Sequence, residues 1–469
     1  MKQPNILVLL ADDQRFDTIR ALGNPVIETP NLDALTAEGV SFTQAHIQGG
    51  TVGAVCMPSR AMLHTGVDLF HLNEHGETIP ANHRLMGEAF QAAGYETFGT
   101  GKWHNGPSSY ARSFTSGAEI FFGGMNDHWN VPAHSFDPSG AYESRIRGCN
   151  DAFHSNSYIN YIADHLSPGK HSTELFADAT IAFLESGRDE SKPFFAYVAF
   201  MAPHDPRTMP DRFKQMYDPQ QIDLPANFMH QHPIDTGALT IRDEVLAALP
   251  REASEIRRHI AEYYAMISHL DFEIGRIIDV LKERGEWENT ILVFSGDNGL
   301  AVGQHGLMGK QNVYDHSMRV PLIVRGPGVK VDVRDDRFVF ISDLFPSLCE
   351  LLELETPDSC EAVSFASALR DAAGWSAEPG GSGNPRGETS AREELLLTYG
   401  DGVRGLRAGD FKYIRYETTP EAVEQLFCVA DDRWELKNLV GDPAHGPRLN
   451  EMRDRLRELR RVAGDPGVG

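Results

Sequence analysis

Apolar residues along this chain come in short unbroken runs set between helical patterns. The runs from Ile6 to Leu10, Glu96 to Thr100, Pro193 to Phe200, Ile291 to Phe294 and Pro321 to Val324 are too continuous for half-exposed strands, so they predict strands buried on both faces. Later the spacing changes to threes and fours. Ile260, Tyr264, Ile267, Leu270, Ile274, Ile277 and Leu281 fall on one helical stripe, and Gly285 stops it before the run at Ile291. Strands alternating with helices predict an α/β fold with a large central mixed, mainly parallel sheet flanked by helices.

The polar residues after these runs share one position. Asp12 and Asp13, Lys102 and His104, His204, and Asp297 and Asn298 each follow an apolar run. In open α/β sheets the carboxyl ends of the strands form the ligand crevice, so these residues are expected to converge. Near residue 370 the texture changes. Residues 372–386 are rich in Gly, Ser and Pro and predict a linker or exposed loop at 371–393, between a catalytic domain at 1–370 and a C-terminal subdomain at 394–469. In that smaller unit, Glu394 to Tyr399 and Phe411 to Tyr416 predict strands of an antiparallel sheet, and Arg448 to Val462 a charged terminal helix.

Charge narrows the partners. A formal net charge of -24 repels nucleic acid and anionic membranes, so neither is expected, and an anionic substrate needs a local cationic pocket. No apolar stretch approaches the roughly 20 residues of a membrane helix. The N-terminus enters its first apolar run at once, leaving no room for a signal peptide. As it stands the chain reads as cytoplasmic, and as periplasmic or secreted if a leader has been removed. Five widely spaced cysteines (Cys56, Cys149, Cys349, Cys360, Cys428) without a Cys-x-x-Cys pair argue against a disulfide framework or zinc knuckle.

Taken singly, the polar candidates have ordinary structural readings: a cysteine as a small buried hydrophobe, paired Asp as helix caps, Asp-Asn-Gly as a turn, lysines as solvated charges. Taken together, Asp12, Asp13, Asp297 and Asn298 offer oxygen donors only, which suits a hard cation such as Ca²⁺ or Mg²⁺ better than zinc. Pro58 suits the first turn of a helix and places Cys56 at its N-terminal end, where the dipole favours negative charge.

The segment from Cys56 to Gly66 (CMPSRAMLHTG) resembles the signature of the formylglycine-dependent (type I) sulfatases, Cys-x-Pro-Ser-Arg followed by Leu-x-Thr-Gly. The likeness continues in order. Asn5 to Asp13 (NILVLLADD) resembles the family's opening strand with its metal-binding Asp pair, and Thr29 to Leu35 (TPNLDAL) its next segment. Gly101-Lys102-Trp103-His104 is similar to a Gly-Lys-x-His element and Pro203-His204-Asp205-Pro206 to a Pro-His-x-Pro element. Ser295 to Gly299 is similar to the second metal pair, and His305 to Lys310 to the segment with the late lysine. Arg319-Val320-Pro321-Leu322 continues the pattern, with a weaker echo from Trp434 to Pro443.

This resemblance implies an alkaline-phosphatase-like fold and a calcium ion, in preference to magnesium, on Asp12, Asp13, Asp297, Asn298 and residue 56. It implies 3-oxoalanine (formylglycine), made from Cys56 by a formylglycine-generating enzyme. The implied roles are a hydrated aldehyde at residue 56 attacking sulfur, steadied by Arg60 and Lys102. His204 and Lys310 bind the ester and protonate the departing alcohol, and His104 takes a proton to regenerate the aldehyde. The expected activity is hydrolysis of a sulfate monoester to alcohol and inorganic sulfate. Two rivals are a formylglycine-dependent phosphodiester or phosphonate monoester hydrolase, against which Ser59 after Pro58 leans, and a catalytically silent binding protein of the same fold. Every expected position is filled, which argues against the second.

The substrate is expected to be a small-molecule or saccharide sulfate ester; choline sulfate, sulfated sugars and aryl sulfates all stay open. Residues 121–137 are rich in aromatic and hydrogen-bonding groups, making Asn126, Asp127, His128 and Trp129, with His134, candidate substrate contacts.

Overall fold

Asn5–Ala11, buried at every position, is the strand on which the fold is built. Its side chains divide by parity: Ile6, Val8 and Leu10 enter one hydrophobic core, Leu7, Leu9 and Ala11 another. Such a strand has no solvent face, which is why its sequence does not alternate. A computed structural model describes residues 3–149, 156–371, 392–418 and 421–467. The predicted linker segment 372–386 lies outside the described residues.

Eight strands form the main sheet, in the order Val333–Phe340, Val40–His46, Leu322–Arg325, Thr290–Gly296, Asn5–Ala11, Phe194–Ala199, Glu96–Lys102, Ser116–Phe121. All run parallel except Leu322–Arg325, which is antiparallel to both its neighbours. The sheet is therefore mixed and mainly parallel, as expected. One face is covered by Pro30–Ala37, Ser172–Ser186 and the C-terminal half of Ala253–Glu283, through Leu32, Phe176, Leu270 and Ile274. Cys56–Thr65, Met86–Ala92 and Leu344–Leu351 cover the other, through Leu63, Phe90 and Leu348. The predicted stripe lies on the 31-residue helix Ala253–Glu283, whose N-terminal half packs into a third cluster with Ile260 and Ile267. None of the described helices is long and apolar enough to cross a membrane.

The second sheet carries the two predicted strands and two more, Val403–Ala408 and Val423–Cys428, all antiparallel. Its edge is extended by Gly49–Gly50, which pairs parallel to Glu394–Tyr399 just ahead of the Cys56 helix. Close approach demands glycine there: a Cβ on Gly49 would fall 1.9 Å from the Thr398 carbonyl oxygen.

A buried ion group holds this sheet to the main body. The Lys412 ammonium donates to Asp315 at 2.8 Å and forms an ion pair with Glu435 at the same distance, and all three residues are almost fully buried. Removing the cation leaves two facing carboxylates in low dielectric, so Lys412→Met is expected to destabilise the fold by about 3 kcal/mol or more. Denaturant unfolding of the two proteins checks this, and equal midpoints would contradict it.

Candidate active site

Four neighbouring strands end at the same edge, and each hands over to a polar residue. Ala11 leads to Asp12 and Asp13, Gly296 to Asp297 and Asn298, Ala199 to the loop bearing His204, and Glu96–Lys102 ends on Lys102 itself. Backbone bonds fix the turns, Asp12 N–H donating to the Ala202 carbonyl and Asp297 N–H to that of Ala11, each at 3.0 Å. Gly101 permits the tight approach, since a Cβ there would lie 2.0 Å from the Ala199 carbonyl oxygen. Asp13 (φ 67°) and His104 (φ 70°) occupy left-handed backbone, a conformation that ordinarily costs non-glycine residues energy and clusters at functional sites.

Cys56 opens the helix Cys56–Thr65, with Pro58 in its first turn as expected. The rest of the motif grips the strand ends. Ser59 Oγ donates to the Asp297 carbonyl at 2.5 Å, and Arg60 Nε donates to Asp297 Oδ2 at 2.8 Å. A second Arg60 nitrogen donates to the Lys102 carbonyl. Lys102 Nζ bonds Asp12 Oδ2 and stands 3.4 Å from Cys56 Sγ; His104 Nδ1 is also 3.4 Å from that sulfur. On the far side, Lys310 Nζ and Asn298 Nδ2 each donate to Asp13 Oδ1 at 2.6 Å, and His204 Nε2 lies 3.6 Å from Asp13 Oδ2. The six residues predicted for catalysis and the five for metal binding are thus brought to one place.

The donor chemistry fits a hard cation. Asp12 Oδ1 and Asn298 Oδ1 are buried oxygens without a hydrogen-bond partner, and a buried acceptor left so is costly unless something else satisfies it. Ligand atoms of Asp12, Cys56 and Asp297 lie within 4.8 Å of one another, as do those of Asp12, Asp13 and His204. Carboxylate and amide oxygens on one centre suit calcium or magnesium.

Burial sets the titration of the group. It raises the Asp297 carboxyl above the usual carboxylate range, with the Asp12 charge adding to it against Arg60, Lys102 and Lys310. Burial likewise pushes the Cys56 thiol up, against the pull of Lys102 and Lys310. For Lys102, burial works toward a lower value but Asp12 and Cys56 outweigh it, and its pKa is raised. His104 is driven well below the ordinary histidine value, first by burial and then by Lys102, Arg60 and Lys310, so at neutral pH it is a proton acceptor.

A cleft of about 300 Å³ opens above Cys56, His104, His204 and Lys310. Its outer wall comes from Gly124, Met125, Ile241, Arg242, Asp243, Gln311 and Tyr399. Asn126, Asp127, His128 and Trp129 do not line it, although Gly124 and Met125 just before them do. Local geometry accounts for that: Asp127 Oδ1 accepts from the Trp129 backbone in a turn, and the Trp129 ring packs on His171. His128 is fully buried, its Nδ1 2.6 Å from Ser172 Oγ and its Nε2 2.9 Å from the His204 carbonyl oxygen. It therefore supports His204 from behind. His134 is buried beside Phe122 and Tyr142.

Sequence reasoning also missed Asp205, Arg242 and Asp243. Arg242 forms a bidentate pair with Asp205 and bonds Asp243, while His204 Nδ1 bonds the Asp205 carbonyl at 2.8 Å. A signal was present in Asp205, inside the Pro-His-Asp-Pro element; Arg242 sits in a loop with no periodicity to mark it.

Oxygen donors set among cations that can hold an anion, at the carboxyl edge of such a sheet, are the equipment of an ester hydrolase acting on a charged substrate. The sulfatase family model matches residues 4–354, and the chain belongs to that family: it is a sulfuric ester hydrolase with an alkaline-phosphatase-like fold. It is 28% identical to an ulvan-active sulfatase of Formosa agariphila, over 99% of this chain and 82% of that one. An arylsulfatase of Clostridium perfringens is 27% identical, over 96% and 93%. Among solved structures, a phosphonate monoester hydrolase of Agrobacterium radiobacter superposes with a TM-score of 0.73 at 22% identity, covering 98% of this chain and 96% of its own.

Proposed function

We propose that this enzyme cleaves a sulfate monoester with a nucleophile made from Cys56 by oxidation to formylglycine, beside a calcium ion held by Asp12, Asp13, Asp297 and Asn298. The observation that carries the reading is the shared contact of Lys102 and His104 with Cys56 Sγ at 3.4 Å, in a site whose motif residues Ser59 and Arg60 both hold Asp297. Hydrated formylglycine supplies one hydroxyl that attacks sulfur and a second whose deprotonation lets sulfate leave by C–O cleavage. Calcium supplies positive charge that favours ionisation of that nucleophile.

The chain's own residues do the rest. Arg60, Lys102 and Lys310 balance Asp12, Asp13 and Asp297 charge for charge, so a bound dication makes the centre net positive inside an acidic protein and draws the anionic ester. His204 and Lys310, on the cleft side, bind the ester and deliver a proton to the departing oxygen. His104, beside residue 56, takes the proton that frees sulfate. A formylglycine-generating enzyme is the maturation partner, and a saccharide or small-molecule sulfate ester the substrate.

The test is turnover by matured, calcium-loaded protein on an aryl sulfate and on an aryl phosphodiester or phosphonate monoester in parallel. Higher kcat/KM on the sulfate is expected, and preference for the phosphorus esters would replace this reading. The two histidines are separable. His204→Ala is expected to slow alkyl and sugar sulfates on the order of a hundredfold but an activated nitrophenyl sulfate far less, because a good leaving group needs little protonation. His104→Ala is expected to give a burst of about one alcohol per site followed by slow turnover. A burst in His204→Ala and none in His104→Ala would exchange the two roles.

A further inference from the structure

The outer cleft has a charge pattern that bears on the alcohol half of the substrate. Its floor cations serve the scissile sulfate in the reading above: Lys310, beside Asp13, and Lys102, beside Asp12. Farther out, Arg242 is the only Lys or Arg among the described lining residues besides Lys310, and two carboxylates already hold it, Asp205 in a bidentate pair and Asp243 at 2.8 Å. Arg242 is thus spent on Asp205 and Asp243, and Asp243 is the carboxylate that lines the cleft. The wall is also rich in fixed hydrogen-bonding groups. Gln311 Nε2 donates to Asp243 Oδ2 at 2.6 Å and to the Gly53 carbonyl at 3.0 Å, which holds the Asp243 carboxylate in place with acceptor capacity to spare. Tyr399 reaches the cleft from the second sheet; burial, with Asp243 and Glu244, pushes its hydroxyl up to about 12, so it is a donor at neutral pH. Met125 and Ile241 supply an apolar side.

Resting on the sulfatase reading above, we propose that the leaving group is hydroxyl-rich and uncharged, as in a singly sulfated sugar, and that the Asp205, Arg242 and Asp243 cluster rejects a second anionic group beside the scissile ester. A second sulfate or carboxylate meets no uncommitted Lys or Arg among the described lining residues of this wall and faces the Asp243 carboxylate, whereas hydroxyls find Asp243 and Tyr399 as acceptor and donor. A quaternary ammonium leaving group is not favoured: its recognition relies on a cage of aromatic faces, and Tyr399 is the one Phe, Tyr or Trp among the described lining residues.

The experiment compares matured, calcium-loaded enzyme on a monosaccharide 6-sulfate, the same sugar carrying a second sulfate, choline sulfate and nitrophenyl sulfate. The monosulfate is expected to exceed the disulfate in kcat/KM on the order of tenfold, from one like charge at close range in partly screened surroundings. That ratio is expected to shrink several-fold in Asp243→Asn and, in the unaltered enzyme, as sodium chloride is raised and the repulsion is screened. Equal or faster turnover of the disulfate, a ratio indifferent to both salt and Asp243→Asn, or choline sulfate outpacing the sugar monosulfate would overturn the proposal. Nitrophenyl sulfate keeps the two readings apart. If it too is inert, the sulfatase reading fails; if it turns over while the disulfate is preferred, only this inference does.

Discussion

Cys56→Ser is expected to abolish sustained turnover, by on the order of 10⁴-fold or more, while leaving substrate binding and one round of alcohol release. The change is nearly isosteric at a buried helix terminus, and Arg60, Lys102, His104 and Lys310 keep their places around it, so the fold and the anion pocket survive. A serine hydroxyl can still attack sulfur. It then carries a stable sulfate ester, since it lacks the second hydroxyl whose proton His104 would remove to expel sulfate. Mass analysis should find one added SO₃ on residue 56 of the variant after exposure to substrate, and residue 56 of matured wild-type protein about 18 Da lighter than cysteine, as conversion of CH₂SH to CHO requires. Multiple turnovers by the serine variant would remove the aldehyde from the mechanism.

The residues of that site are ones the chain displays openly. Asp12, Lys102, His204 and Asp297 were legible because each follows a run too apolar for anything but a doubly covered strand, and parallel strands must end at a common edge. Cys56 was legible through Pro58 and Arg60, whose spacing is local. Contacts that tertiary packing alone creates were not legible. Nothing in the pattern around Gly49–Gly50 announces that it extends a sheet whose other strands begin some 345 residues later. Nor does the loop around Arg242 advertise its pairing with Asp205, 37 residues away. The stretch 126–129 illustrates the opposite error. Aromatic and polar residues next to a cleft look like substrate contacts, but there Asp127 and Trp129 are spent on a turn and a ring contact, while His128 carries its imidazole inward to the His204 carbonyl.

The other large effect concerns the cation, and Asp297→Asn isolates it. Asp297 faces Asp12 in a fully buried setting, and its raised pKa reflects first the cost of burying its charge and then repulsion from that second carboxylate. A bound dication relieves both. In the wild-type protein, calcium at about 100 times its Kd should therefore add roughly 2.7 kcal/mol to stability, and a chelator should remove it. The amide keeps the shape of the side chain but cannot accept from both Arg60 Nε and the Asp13 N–H, as Asp297 does. That loss costs about 1 kcal/mol, offset by the relief of repulsion from Asp12, so metal-free Asp297→Asn should unfold close to metal-free wild type. What it should lose is the calcium response: no thermal shift, no heat on calcium titration, and sulfate ester turnover lowered by at least about two orders of magnitude. Zinc should not restore the wild-type response after chelation, because the donors are oxygens. A calcium-induced shift that persists undiminished in Asp297→Asn would place the cation elsewhere in the molecule.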